Sequence, residues 1–345
     1  MSLPFISVIV PAFDRKNYLK DSVSSIKQQT LGHANYEVIF LTNFEVDKEL
    51  VESVKGRQLH SNEREGPALA YAIEEAHGDV ISFLDDDDLW LNRKLEHVFA
   101  EFSADSSLGY YHNNFTMINE QMGASKSPAY RNGITRMSKL GRVELDSIGA
   151  TFKEVRRLVN LAIDFNNSSI SILRSLVMNV IDELKTSYSS MDTFLFYAAM
   201  TSDRKIVGDG EILTKYRLHS RNTSGSHSLS GAQKLTEAMY LKGKSDFNKK
   251  VTIQHLHLLQ TMGCRNSAVK RSIECMIADD KVESHWLGGV RDRKGMLKDI
   301  LLYLRYFSRY ELKYNATILA FSLLYFLEPE MAMNLFLRHY YEALD

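Results

Sequence analysis

Residues 78–90 read GDVISFLDDDDLW, and the change of character inside them decides the fold. Asp79 to Leu84 is a short, mostly apolar run of the kind that makes a buried strand. Asp85, Asp86, Asp87 and Asp88 follow at once. In an open parallel sheet, ligands bind outside the carboxyl ends of the strands, which is where these four side chains would stand. Two carboxylates ~5 Å apart repel by roughly 3 kcal/mol at an effective dielectric of about 20. Such repulsion is tolerable if the turn is wet, if one acid keeps its proton, or if a cation sits there. Oxygen-only ligands select hard ions such as Mg2+ or Mn2+, and Mg2+ commonly joins one or two carboxylates to substrate phosphates. The competing reading is a solvated helix-capping turn. Four acids directly behind a buried strand favour the metal–phosphate site.

Working outward, the same alternation repeats. ISVIV (6–10), ended by Pro11, and YEVIFLTN (36–43) read as strands. Between them Tyr18, Leu19, Val23 and Ile26 recur at helical spacing. GPALAYAIEEAHG (66–78) reads as a helix with Gly78 just past its end. Asp88 is placed to cap the helix LWLNRKLEHVFAEF. GYYHNNFTMIN (109–119) is expected to be a strand whose polar middle forms an active-site edge, and 120–150 a loop or flexible insert. NNSSISILRSLV (166–177) suggests a strand entering a helix, MDTFLFYAAMTS (191–202) a helix, and 205–219 a short hairpin or strand pair. Strand–helix alternation implies an α/β sheet that is largely parallel. From about residue 229 helices follow one another, with Leu297, Ile300, Leu301 and Leu304, then Leu319, Leu323 and Phe326, as apolar stripes. Tyr303, Tyr306, Phe307 and Tyr310 interleave with Arg305 and Arg309. The expected domains are 1–228 and 229–345, the latter serving an acceptor, a homo-oligomer contact or a membrane surface.

Composition narrows the function. The chain has 345 residues, 44% hydrophobic and 25% charged, enough for a large core and more than one unit. A net charge of −1 argues against a general nucleic-acid partner. Lys and Arg outnumber Asp and Glu between residues 240 and 314, so the C-terminal part could meet an acidic partner, a membrane surface or a phosphorylated lipid, or simply be a solvated helical surface. Cys264 and Cys275 fit neither a metal motif nor a disulfide framework and suggest a reducing, cytoplasmic compartment. The N-terminal segment reads as a strand, not a signal peptide. ATILAFSLLYFL (316–327) is too short to span a bilayer.

The ordered motifs SVIVPAFDR, GDVISFLDDDDLW, MDTFLF and YRLHSRNTSG resemble family 2 glycosyltransferases over about residues 5–225. The resemblance implies a GT-A type, Rossmann-like mixed sheet flanked by helices, with a C-terminal helical extension. It implies metal-dependent, inverting transfer of a sugar from a nucleotide-diphosphate sugar, by default a UDP-sugar, to a hydroxyl of a glycan, polysaccharide or lipid-linked acceptor, at or near the cytoplasmic face of the membrane. Asp87 matches the family's metal position. His219 matches a position that in some relatives completes the metal or diphosphate site. Asp85 and Asp86 would hold the ribose or support the metal, and the ion would be Mg2+ or Mn2+. Asp192 matches the general base, with helix capping as its ordinary alternative. Pro11, Phe13 and Asp14 fall where the nucleotide binds; Asn167, Ser168 and Ser169 fall near the acceptor. Arg217 reads equally as the partner of an acid or as a phosphate contact.

The sequence also departs from the pattern. Asn43 stands where many relatives have acids that recognise the base, Leu69 and Ala70 replace an Arg-Asn pair, and residue 191 is Met rather than Glu. These departures leave room for a non-catalytic nucleotide-sugar or carbohydrate-binding relative. A nucleotidyltransferase is disfavoured because PAFDRKN has no glycine to bind a triphosphate.

Overall fold

The apolar runs become strands that are buried on both faces. A computed structural model describes residues 3–125, 130–188, 190–219, 249–254, 256–258, 266–287, 292–306, 312–328 and 331. They divide into two compact units, Met1–Ser125 with Tyr130–Leu218, and Lys126–Ala129 with His219–Asp345. The expected boundary at residue 228 lies outside the described residues, as do Cys264, Phe307, Arg309 and Tyr310.

The first unit is built on β1 (Ile6–Ala12), β2 (Tyr36–Thr42), β3 (Arg57–His60), β4 (Val80–Phe83), β5 (Leu89–Trp90), β6 (Leu108–Ile118), β7 (Arg142–Asp146), β8 (Ile170–Leu173) and β9 (Lys205–Arg217). They form a single sheet in the order β3-β2-β1-β4-β8-β6-β9-β5, with β7 also on β9. The β3-β2-β1-β4 half is parallel. β8 runs antiparallel to both β4 and β6, and β6 and β9 are parallel. The sheet is therefore mixed. On one face Val8, Val10, Val38 and Phe40 pack with Val23 and Ile26 of helix Leu19–Lys27 and with Leu95 and Val98 of helix Lys94–Ala104. The alternate residues Ile9, Ile39 and Ile81 are equally buried, as expected for strands covered on both sides. Each such side chain contributes about 1.5–3 kcal/mol of transfer free energy.

Several expectations need correction. Pro11 does not end β1, which runs on to Ala12; pairing with β4 stops at Ile9 and Phe83, so only β2 still flanks the proline. Asp88 caps no helix: Leu89–Trp90 is a short strand, and the helix starts at Lys94. The polar middle of β6 is no edge, because β8 and β9 flank it and His112, Asn113 and Asn114 are buried. Residues 120–150 contain helix Arg131–Leu140 and β7. Residues 205–217 are one continuous strand, bent by register shifts opposite β6, not a hairpin. Helix Glu65–Glu74 ends before Gly78.

The second unit includes helices Ser267–Leu287, Arg293–Leu304 and Leu312–Leu327. Ala278, Val282, Met296, Tyr303, Ile318 and Tyr325 form its core, and Cys275 is buried. Leu297, Leu301, Leu304 and Leu323 are 50%, 57%, 42% and 66% exposed, whereas Ile300 and Phe326 of the expected stripes pack against this core with Met296 and Tyr303. Among the described residues no helix is long and apolar enough to cross a membrane.

Gly78 shows what anchors the amino ends of β1 and β4. Its N–H donates to Ser7 Oγ at 2.8 Å, and an added Cβ would stand 2.4 Å from Ser7 N. Gly78→Ala is expected to cost about 1–3 kcal/mol, read as a lower midpoint in thermal unfolding. Because the contact lies at the ends of the strands remote from the aspartates, the folded variant should keep its ligand affinity.

Candidate active site

The chain leaves β1 for β2 and β3 on one side, then returns to lay β4 on the other. A crevice therefore opens at the carboxyl ends of β1 and β4, the switch point at which such sheets bind ligands. Residues 13–16 and the aspartate turn face each other there.

Inside the turn each acid has its own environment. Asp86, Asp87 and Asp88 are only 3%, 5% and 0% exposed. Asp85 N donates to Ser168 Oγ at 3.0 Å. Asp88 N donates to Asp85 O at 3.2 Å, closing the turn. Asp88 Oδ1 accepts from Arg217 N at 2.8 Å, and Arg217 Nε donates to Asp87 O at 2.7 Å. Arg15 Nε donates to Asp86 Oδ2 at 3.0 Å. Its Nη2 also pairs with Asp86 Oδ1 and lies 2.5 Å from Asp87 Oδ2. Burial, then the neighbouring charge of Asp87, pushes the Asp85 and Asp88 carboxyls well above the ordinary carboxylate range.

Asp85, Asp87 and Asp88 offer oxygens that all lie within 4.8 Å of one another. Asp88 Oδ2 is buried and meets no partner in hydrogen-bond geometry. An all-oxygen set with an unsatisfied buried oxygen fits a hard divalent ion. Asp86 stands outside this triad, paired with Arg15. His219 is buried, belongs to the second unit, and is not a member of the triad.

Asp192 opens helix Met191–Met200. Its carboxylate accepts from Asn166 N at 3.0 Å and Thr193 N at 2.8 Å. Burial raises its pKa, and those two N–H groups pull the other way. Its charge acts on Asp85, so the two carboxylates are near enough to interact. Between them lies the 3-10 turn Asn167–Ser169. Ser168 O accepts from Trp90 Nε1 at 2.7 Å and from Thr214 Oγ1 at 3.1 Å. Ser169 O accepts from Lys94 Nζ at 3.1 Å. Asn166 Nδ2, Asn167 Oδ1 and Ser169 Oγ are buried with no hydrogen-bond partner, the state expected of groups that await water or a ligand.

The expected nucleotide residues are arranged differently. Pro11 lies within β1 and Phe13 is half-buried. Asp14, at φ 56°, donates its N–H to Asn43 Oδ1 at 3.0 Å and accepts from Asn43 Nδ2 at 2.6 Å. Arg64 also pairs with Asp14. In this state Asp14 and Asn43 satisfy each other. Leu69 and Ala70 are buried in the core. The structure adds Arg15, Arg64, Asp164 and Asn166 to the residues read from sequence. Arg15 and Arg64 could have been sought as the cations that so much negative charge requires; Asp164 and Asn166 carried no such signal.

This mixed sheet with an acidic turn at its switch point is a GT-A type fold. Residues 7–152 match the family described as glycosyl transferase family 2. A relative in Escherichia coli, the UDP-Glc:alpha-D-GlcNAc-diphosphoundecaprenol beta-1,3-glucosyltransferase WfgD, is 31% identical over 121 residues, 33% of this chain and 47% of its own length. Among solved structures, S. aureus TarS 1–349 with UDP-GlcNAc superposes at a TM-score of 0.56 with 14% identity, covering 88% of this chain and 81% of that one. The mannosyltransferase PcManGT from Pyrobaculum calidifontis, in complex with GDP-Man and Mn2+, superposes at 0.53 with 13% identity, covering 99% and 86%. The matched stretch spans 17% to 48% of the length of the curated relatives.

Asp164 is raised to about 7, by burial first and by the charge of Asp192 second. An acid whose folded pKa lies above its unfolded value of about 3.9 binds its proton more tightly when folded. It favours the native state at low pH, and that contribution is lost as pH rises from about 4 through 7. Asp164→Asn removes the titration. Its thermal midpoint relative to wild type should be higher at pH 8 than at pH 5; an identical difference at both pH values would count against the buried, coupled acid.

Proposed function

We propose that this chain is a metal-dependent, inverting glycosyltransferase that moves a sugar from a nucleotide-diphosphate sugar to a hydroxyl acceptor. The observation that carries the reading is the one short turn, residues 166–169, that bonds Asp192 through Asn166 N and Asp85 through Ser168 Oγ. Asp85, Asp87 and Asp88 would hold the ion, with His219 a further candidate ligand. Bound there, Mg2+ or Mn2+ would neutralise charge that builds on a departing diphosphate. Asp192 accepts the acceptor hydroxyl's proton as that oxygen attacks the anomeric carbon. Its two backbone N–H donors aim it and oppose the effect of burial by favouring the ionised form, and geometry is the first requirement of a general base. A single displacement from the opposite face inverts the anomeric centre. Asn166, Asn167 and Ser169 supply unsatisfied polar groups beside that base for the acceptor, with Ser168 in the same turn.

A UDP-sugar is the donor of choice, a reading supported by the UDP-GlcNAc bound to TarS and the UDP-Glc used by WfgD. Pro11, Phe13, Asp14, Asn43, Asp85 and Asp86 line the crevice that would take it, and Asn43 and Asp14 exchange their mutual bonds for bonds to the nucleotide. Asp192→Asn should lower transfer by 10²-fold or more, within the usual range for a general base, while UDP binding by calorimetry stays within threefold. Asp87→Ala should weaken Mn2+-dependent UDP binding instead. Donor binding without turnover by wild type on any acceptor extract would favour the non-catalytic alternative.

The acceptor is lipid-linked in this reading, and the second unit meets an anionic membrane at the cytoplasmic face. Lys281, Lys294, Lys298 and Arg305 line an open groove with Leu297 and Leu301. The acid among them, Asp299, is engaged by His285 at 2.8 Å. Exposed leucines between basic side chains suit an interfacial helix. The protein should float with vesicles containing anionic phospholipid and not with neutral ones, and Leu297→Asp/Leu301→Asp should abolish flotation. Loss of a dimer in that double variant, with no vesicle binding by wild type, would assign the face to self-association.

A further inference from the structure

The loop after β1 brings a cation to the acids before any ion or donor arrives. Asp14 turns the chain at φ 56° and is pinned by Asn43 and Arg64. Lys16, two residues on, lies over the Phe44 ring at 4.6 Å. Between these anchors Arg15 projects into the crevice, its side chain 18% exposed. Its guanidinium engages both oxygens of Asp86 and reaches Asp87 Oδ2. Asp87 is also one of the three carboxylates whose oxygens converge within 4.8 Å. One carboxylate therefore answers to two cationic demands.

We propose that Arg15 is a tethered counter-cation of the metal-free site: it holds Asp86 and Asp87 together, competes with the divalent ion for Asp87, and is displaced when that ion binds. This rests on the reading of the acid triad as a metal seat. A guanidinium and a divalent ion on the same carboxylate repel, and in a water-poor crevice the repulsion is weakly screened. Entry of the ion moves the guanidinium off Asp87. Because Arg15 adjoins Asp14 and Phe13, the displacement also disturbs the loop at which the nucleotide is expected. Ion entry and donor-loop rearrangement are thereby linked, and a released guanidinium is suited to a diphosphate, which it can meet with two parallel hydrogen bonds. Without this counter-charge Asp86 and Asp87 would lose the guanidinium that offsets their mutual repulsion before an ion arrives.

The test is Mn2+ binding, without donor, to the full chain by titration calorimetry and by the loss of free-Mn2+ signal in electron paramagnetic resonance. Arg15→Ala, Arg15→Gln and Arg15→Lys are compared with wild type at pH 7.5, and circular dichroism selects the variants that fold. The neutral variants should bind Mn2+ about tenfold more tightly or better, with Arg15→Lys between them and wild type. In EDTA the neutral variants should melt below wild type, and Mn2+ should raise their midpoint more than it raises that of wild type. Equal Mn2+ affinity in wild type and the neutral variants, or weaker binding in the latter, overturns the competition and leaves the metal seat standing. No Mn2+ binding by any form, with or without UDP, overturns the metal seat and this inference together.

Discussion

A buried guanidinium organises the rest of the site. Arg217 is 1% exposed at the end of β9. A buried charge without partners costs several kcal/mol, so its surroundings must supply them. Its backbone N–H takes Asp88 Oδ1, its Nε takes Asp87 O, its Nη1 takes Glu120 O at 3.2 Å, and its Nη2 takes Asp21 Oδ2 at 2.9 Å. The Tyr18 ring lies 4.5 Å from its carbon Cζ. One side chain thereby joins the aspartate turn, the last strand, the residues after β6 and the first helix. The turn cannot shift without breaking several of these contacts at once. Of the two readings the sequence left open for Arg217, partner of acids and phosphate contact, the first describes what it touches.

Around that fixed point the negative charge is divided rather than pooled. Arg15 carries Asp86 and shares Asp87, and Arg217 holds the backbone at Asp87 and one oxygen of Asp88. Ser22 Oγ donates to Asp88 O at 2.8 Å. What remains is one unsatisfied oxygen of Asp88 beside Asp85 and the shared Asp87. The four acids are thus not equivalent, although the sequence writes them identically. That is why reading Asp88 as a helix cap missed: both capping and membership of an acid cluster suit an aspartate, and only the two-residue β5 behind it decides between them.

Legibility followed the same line. β1, β2 and β4 were readable because uninterrupted β-branched runs have few other fates, and the rule of carboxyl ends then located the site. Asp192 was readable from its motif, and it does open a helix. The segment 120–150 was not, because its polar texture hides a helix whose burial rests on Gly133 and Met137. The single strand β9 was read as a hairpin because Gly208, Asp209 and Gly210 look like a turn. In place of that turn, β9 shifts register against β6 near Asn113 and Asn114. In helix Arg293–Leu304 apolar residues occupy both sides, so periodicity found a stripe without telling which side was the core.

The placing of Asp192 relative to the aspartate turn is set by side chains that grip backbone groups. Asn166 N grips Asp192, and two residues later Ser168 Oγ receives Asp85 N. The short turn between them is clamped from below by Trp90, Thr214 and Lys94. Lys94 is fully buried there, and burial depresses its pKa to about 7, a cost that its hydrogen bonds to Ser169 O and Asn113 Oδ1, the charge of Asp209 and the Trp90 and Tyr111 rings offset. A chain that spends a buried lysine on holding a turn is holding it for geometry. The replacement of an acid by Met191 leaves this clamp untouched, because Met191 itself is 8% exposed in the helix start and donates nothing to it. The placing of Asp192 relative to the aspartate turn therefore does not rest on Met191.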